Sequence, residues 1–174
     1  MKKILLGALL SIFVANANAV DGYKNIKFGS SIKDVVNANV CSLKEFPDTN
    51  KVAGLTNYGC FDFQFGGKNT IAMAFFINGK FQRFAINIDD NYVSVLNGLI
   101  EKYGKPSSSD TPEKIKRADS TGEPVFVKFD NDTVVLRVQK NMSTGKESAL
   151  LIYTSPKYDE LLSKITKDSI IDDI

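Results

Sequence analysis

The chain has 174 residues, with 22 Lys and Arg, 20 Asp and Glu, two Cys, and neither His nor Trp. Without histidine it lacks the commonest general base and metal ligand, so Ser-His and Cys-His nucleophile systems are excluded within this chain. The formal net charge is +2, and both excess cations, Lys2 and Lys3, sit at the very start.

The opening MKKILLGALLSIFVANANA has the three parts of a secretory signal peptide. Lys2 and Lys3 form a positive n-region, Ile4 to Val14 an apolar stretch, and Ala17-Asn18-Ala19 an A-x-A cleavage site. The apolar run of about 11 residues is short of the roughly 20 that a membrane-spanning helix needs. No cysteine follows it to accept a lipid. The expectation is cleavage near Ala19 and a periplasmic or secreted protein of a bacterial envelope. Loss of residues 1–19 takes Lys and Arg from 22 to 20, equal to the 20 acids. A neutral product has no general attraction for nucleic acid or anionic membrane. Residues 20–174 are expected to form one domain that buries about two-thirds of its unfolded surface. No later stretch is apolar enough to span a bilayer.

Val20 to Phe28 has mixed character and suggests a short edge strand over Tyr23–Phe28. Ser31 and Asp34 then form an S-x-x-D capping box, and Ile32, Val35, Val36 and Val40 fall on one helical stripe. Cys41 and Cys60 follow, bracketing a loop broken by Pro47, Asp48, Asn50 and Gly54. In an oxidising compartment the simplest reading is a structural disulfide. It would tie the end of the first helix to the first long strand and stabilise by roughly 3 kcal/mol in the chain-entropy model. A redox site would show C-x-x-C spacing, which is absent.

Phe61, Phe63 and Phe65 alternate with Asp62 and Gln64, so all three rings are expected on one face of a strand. Asn78-Gly79 is a strong hairpin turn. A two-residue turn there pairs Ile77 with Lys80, Phe76 with Phe81, Ala74 with Arg83, Met73 with Phe84 and Ile71 with Ile86. A second helix starts near Asp89 or Asp90 and runs to Gly104, with Tyr92, Val95, Leu96, Leu99 and Tyr103 on one face. Lys105 to Pro124 reads as a polar loop, or as a loop hiding a short strand around Ile115. Strands follow over Val125–Phe129, Thr133–Gln139 and Ser148–Thr154. A last helix starts after Ser155, its inner face lined by Tyr158, Leu161, Leu162 and Ile165.

This order predicts an α+β fold: an antiparallel sheet of about six strands in two meanders, with about three helices packed mainly on one face. The two helix-plus-strands runs hint at a duplication, although no residue-level repeat accompanies them.

The stretch IKFGSSIKDVV resembles the I-x-x-G-x-[ST]-x-x-[DE]-V opening of small bacterial envelope proteins with a beta-lactamase-inhibitor-like fold. KYGKP, from Lys102 to Pro106, resembles the helix-ending G-x-P of the same class. The resemblance implies a non-catalytic protein-binding module and carries over no functional residue.

Candidate chemistry is sparse. Ser143 to Lys146 fits S-x-x-K, but it lies between strands without the partner motifs that would activate the serine. The pairs Asp89/Asp90, Asp130/Asp132 and Asp172/Asp173 read more simply as caps, a turn and a solvated tail than as a glycosidase dyad. Asp130-Asn131-Asp132 lacks the glycine and terminal glutamate of a calcium loop. Lys114, Lys116 and Arg117 alternate around Ile115, as on the polar face of an edge strand or a contact to an acidic partner.

The leading expectation is therefore a non-enzymatic protein-binding module, an inhibitor or immunity-type protein acting on an envelope or foreign protein. No metal or cofactor is expected. The candidate contacts are Phe46 in the disulfide loop, Phe76, Phe81 and Arg83 on a sheet face, and Lys114, Lys116 and Arg117. Phe76 and Phe81 would be a binding pair if nothing covers their face; a second layer or a dimer partner would make them core. The alternatives are a carrier of a small apolar ligand, held between helices and sheet, and a hydrolase using carboxylates.

Overall fold

The computed structural model describes residues 19–47, 52–172 and 174. The apolar segment that reads as a signal peptide lies outside the described residues, as do Asp48, Asn50 and Asp173. The architecture is α+β. One eight-stranded antiparallel sheet has the order β3 (Lys44–Phe46), β4 (Leu55–Phe65), β5 (Lys68–Ile77), β6 (Lys80–Asn87), β10 (Glu147–Thr154), β9 (Val134–Lys140), β8 (Val125–Phe129) and β7 (Ser108–Ser109), and β1 (Gly22–Tyr23) pairs with β2 (Ile26–Lys27) in a separate two-stranded sheet.

The small hairpin comes first: β1 (Gly22–Tyr23) and β2 (Ile26–Lys27). It replaces the single edge strand expected over Tyr23–Phe28 and buries Tyr23 and Ile26 against the large sheet. Helix α1 (Ile32–Asn37) starts on the expected capping box. Asp34 N donates to Ser31 Oγ at 3.2 Å, and Ser31 N and Oγ donate back to the Asp34 carboxylate. It is a short helix, because Asn39 turns the chain with φ 51° before Val40 is reached.

The disulfide is present between Cys41 and Cys60, with Cα atoms 6.2 Å apart. Inside its loop lies an unanticipated edge strand, β3 (Lys44–Phe46), paired with β4 (Leu55–Phe65). Strand β4 begins well before Phe61. Its pairing with β5 (Lys68–Ile77) slips between Cys60 and Phe63. This bulge corrects the expected aromatic face: Phe63 is buried, whereas Phe61 is turned outward and is 67% exposed. An extra residue in one strand reverses the alternation beyond it.

The Asn78-Gly79 hairpin joins β5 to β6 (Lys80–Asn87). Ile77↔Lys80 and Phe76↔Phe81 pair as expected, then a bulge at Gln82 shifts the rest by one, giving Phe75↔Arg83, Ala74↔Phe84 and Ala72↔Ile86. The shift keeps Phe81, Phe84 and Ile86 all on the inner face, where each is fully buried. In the regular register Phe81 and Phe84 would point to opposite sides.

After a 3-10 turn at Asp89–Asn91, helix α2 (Tyr92–Tyr103) lays Leu99, Tyr92, Val95, Leu96 and Tyr103 on the core, as its periodicity predicts. The polar stretch that follows is not a bare loop. It holds β7 (Ser108–Ser109) and helix α3 (Pro112–Thr121). Thr111 caps α3, Pro112 stands in its first turn, and Gly122 closes it in the left-handed region at φ 72°. Strands β8 (Val125–Phe129), β9 (Val134–Lys140) and β10 (Glu147–Thr154) complete the sheet, with β10 set against β6. Each half of the sheet is thus a run of four strands, and the halves meet at their last strands.

Helices α1 and α2 and the small hairpin cover the inner face. Helix α4 (Tyr158–Asp172) does not join them. Tyr158 and Ile165 pack with Ile77 in a separate cluster that includes Leu55, Phe75, Leu161 and Leu162. Leu55, Phe75 and Ile77 belong to the outer face, because they alternate with buried Ala74 and Phe76. The helices thus pack mainly on one face, as expected, and α4 is the exception that caps one end of the opposite face.

Candidate functional site

The seven candidate contact residues do not form one site. Phe76 and Phe81 are fully buried, with ring centroids 5.9 Å apart. The inner face they share is the one that the hairpin and α1 cover, so the expected binding pair is core. The buried tyrosine Tyr23 stacks on Phe84 there at 4.5 Å, and burial pushes its hydroxyl pKa up to about 12.

Arg83 lies on the outer face and holds α4. Its guanidinium sits 3.5 Å from the Tyr158 ring centroid, pairs with Asp159 at 3.0 Å and donates from Nε to Thr154 Oγ1 at 3.0 Å. Lys114, Lys116 and Arg117 fall on α3, not on an edge strand. The alternation around Ile115 was accidental; Thr111-Pro112 starts a helix whose Ala118 is buried. Lys114 reaches Asp110 at 2.9 Å and Arg117 reaches Glu123 at 2.7 Å, while Lys116 is exposed. Burial raises the Asp110 pKa, but Lys114 and the Phe126 N–H outweigh it and the carboxyl titrates below its usual range.

Phe46 is the one candidate aromatic residue that reaches the surface. It is 36% exposed on edge strand β3, 6.1 Å from the ring of Phe61. Its ring lies over Gly59, where an added Cβ would stand 2.3 Å from Phe46 Cε2. Asp62 secures the corner beneath: it accepts from Ser42 N at 3.0 Å and from Ser42 Oγ at 2.6 Å. Those bonds hold the Asp62 carboxyl below its ordinary pKa. Asp62 also stands beside Cys41 and Cys60, but the two sulfurs are joined and offer no thiolate to a metal.

Sequence reasoning missed the larger feature, the rest of the outer face. Ile71 and Met73 on β5, Ala85 on β6, Leu150 and Ile152 on β10, Val135 on β9 and Phe126 on β8 all alternate with inward core residues. Ile71 is 39% exposed, Met73, Leu150, Ile152 and Phe126 are half-buried, and only the small Ala85 and Val135 are buried between them. Arg137 stands among them, bonded to the Gln139 side chain. Among the described residues it makes no ion pair. The signal was available in period-2 alternation, but only knowledge of which face the helices cover makes it a surface.

Of the acidic candidates, Asp132 has a structural role. Asp132 accepts from Ser107 at 2.6 Å and Ser108 at 2.9 Å, which lowers its pKa and pins β7 to the β8–β9 turn. Ser143 lies in the β9–β10 turn, where its N–H and that of Thr144 donate to Asn141 Oδ1. A separate groove of about 400 Å³ opens between α2, α3 and the inner sheet, lined by Leu96, Ile115, Ala118, Val127 and Val138. Glu147 stands at its rim and accepts from the Tyr92 hydroxyl at 2.8 Å.

A protein family described as uncharacterised protein matches residues 23–173. The chain belongs to that family. An uncharacterized protein of Haemophilus influenzae is 33% identical over 175 residues, covering 97% of this chain and 96% of its own length. No solved structure matches the chain. The matched span runs from the small hairpin through α4, so both the core and the outer face lie within it. Among the described residues no helix is long and apolar enough to cross a membrane.

Proposed function

We propose that the protein is a periplasmic, non-enzymatic protein-binding module, an inhibitor or immunity-type protein whose outer sheet face takes a folded envelope or foreign protein. The observation that carries this reading is the apolar strip from Ile71 to Phe126, left uncovered by α4 and interrupted by Arg137. Aromatic, methionine and arginine side chains on a rigid, partly dehydrated face are the composition of binding hot spots. An arginine with no ion-pair partner among the described residues favours a target that brings a carboxylate into an apolar contact. The disulfide and the Ser42–Asp62 bonds hold the Phe46–Phe61 edge as part of the same preformed surface. The resemblance of IKFGSSIKDVV to inhibitor-like envelope proteins supports the same reading.

The test is capture from envelope extract on immobilised protein, in parallel with Ile71→Asp and Arg137→Glu. The expected result is a stoichiometric protein retained by the native chain and lost by both variants, which keep the native melting temperature. Retention by all three forms places binding elsewhere, and recovery of no stoichiometric protein overturns the reading.

The second reading, a carrier of a small apolar ligand, draws on the groove between α2 and α3, whose volume falls within the range of small-molecule sites. Native mass spectrometry of protein from its host distinguishes the two: a bound small molecule of constant mass favours the carrier.

A further inference from the structure

Val20 immediately follows the A-x-A sequence at Ala17–Ala19. Its backbone nitrogen donates to the carboxylate of Asp130, 110 positions along the chain. Val20 itself packs against the main core. Asp130 opens the β8–β9 turn, where Asp130, Asn131 and Asp132 have φ of 54°, 54° and 66°. It is half-buried, and the same carboxylate oxygen accepts from the hydroxyl of buried Thr133 at 3.1 Å. Among the described residues no lysine or arginine pairs with Asp130; the neighbouring acid Asp21 pairs with Lys27 at 3.3 Å.

A half-buried carboxylate aimed at a backbone N–H is a modest interaction while that N–H belongs to a peptide. Hydrolysis of the Ala19–Val20 bond changes the partner. Water adds across the bond, Ala19 leaves as a carboxylate and Val20 keeps a protonated amine. The amide hydrogen bond becomes a charge-assisted one.

We propose that Asp130 is the receptor for the α-ammonium group that an envelope endoprotease generates at Val20, so that export processing locks the chain start onto the β8–β9 turn. The proposal rests on the reading of residues 1–19 as a cleaved signal. The lock also clamps the β1–β2 hairpin, because Phe28 N, just past β2, donates to Asp21 O, just before β1, at 2.7 Å and closes the hairpin's open end.

Three measurements test it. Intact mass and N-terminal sequencing of protein from its native host are expected to give Val20 as the first residue. Thermal melting then compares a chain beginning at Val20 with the same chain acetylated at that nitrogen, each with and without Asp130→Asn. The free amine is expected to raise the melting temperature by about 2–4 °C, the shift of a single interaction of this strength in a domain of this size. Asp130→Asn is expected to remove the gap. A different N-terminus overturns the premise of cleavage at this bond. Equal melting of free and acetylated wild-type chains overturns the pairing even where the cut is confirmed, and needs no variant to fold.

Discussion

Phe46 on β3 and Phe76 on β5 belong to one sheet, with β4 between them, and have opposite fates. Phe76 contacts the rings of Tyr58 and Phe81 and has no exposed surface; Phe46 rests on Gly59 at the sheet edge with one side in water. Removing the first ring leaves a cavity in a filled core, whereas removing the second exposes a glycine. Phe76→Ala is therefore expected to cost about 3–5 kcal/mol and Phe46→Ala less than about 1 kcal/mol, read from urea unfolding midpoints. A result with the two values reversed would contradict the assignment of the inner face. At this scale the amino-acid string shows that both residues are aromatic and flank turns. It does not show that Gly59 leaves room for one of them, since that contact joins strands that only the fold brings together.

The elements whose start and stop chemistry is local match expectation. Ser31 with Asp34 begins α1, Asn78-Gly79 turns a hairpin, and the stripe from Tyr92 to Tyr103 makes α2. Those whose definition is non-local do not. The bulge at Gln82 leaves no mark in the alternation, yet it decides that Phe81 and Phe84 share a face. Helix α3 has too few apolar residues to show a period, and only its caps, Thr111-Pro112 and Gly122, disclose it. Helix α4 has the expected inner residues, but nothing in its own sequence says which side of the sheet receives them. Arg83 supplies that information through Tyr158, Asp159 and Thr154. Arg83→Met is expected to leave the main core intact and to loosen α4. Hydrogen exchange checks this: amides of 158–165 should exchange at least several-fold faster while those of β5 and β10 stay unchanged. Uniform acceleration across the sheet would show instead that α4 and the sheet open as one unit.

The whole molecule carries its charge chemistry in carboxylates. Asp34, Asp62 and Asp132 are held below their ordinary pKa chiefly by serine hydroxyls, and Asp110 by Lys114 and a backbone N–H against the opposing effect of burial. A carboxyl whose folded pKa is depressed contributes stability at pH values above its unfolded pKa, about 3.9 for aspartate, and loses it as pH falls through the folded value. With no histidine in the chain, no side chain has an ordinary pKa between about 5 and 8. Melting temperature is expected to be flat from about pH 5 to about pH 7 and to fall steadily below about pH 4. A step near pH 6 would contradict a pH dependence set by these carboxylates.

What the amino-acid string determined by itself was whatever depends on neighbours in sequence. That covers the lack of imidazole chemistry, the α+β class, the caps and turns, and the pairing of the two cysteines, for which each had only the other as a partner. What the tertiary structure decided was which aromatic residues are core and which are surface, and that α4 covers one end of the outer face and leaves the rest open. Those outcomes depend on bulges and on the side from which each helix arrives. Both are set by packing between segments far apart in the chain, where alternating patterns on the two sides of a strand are equally compatible with burial until a covering layer selects one.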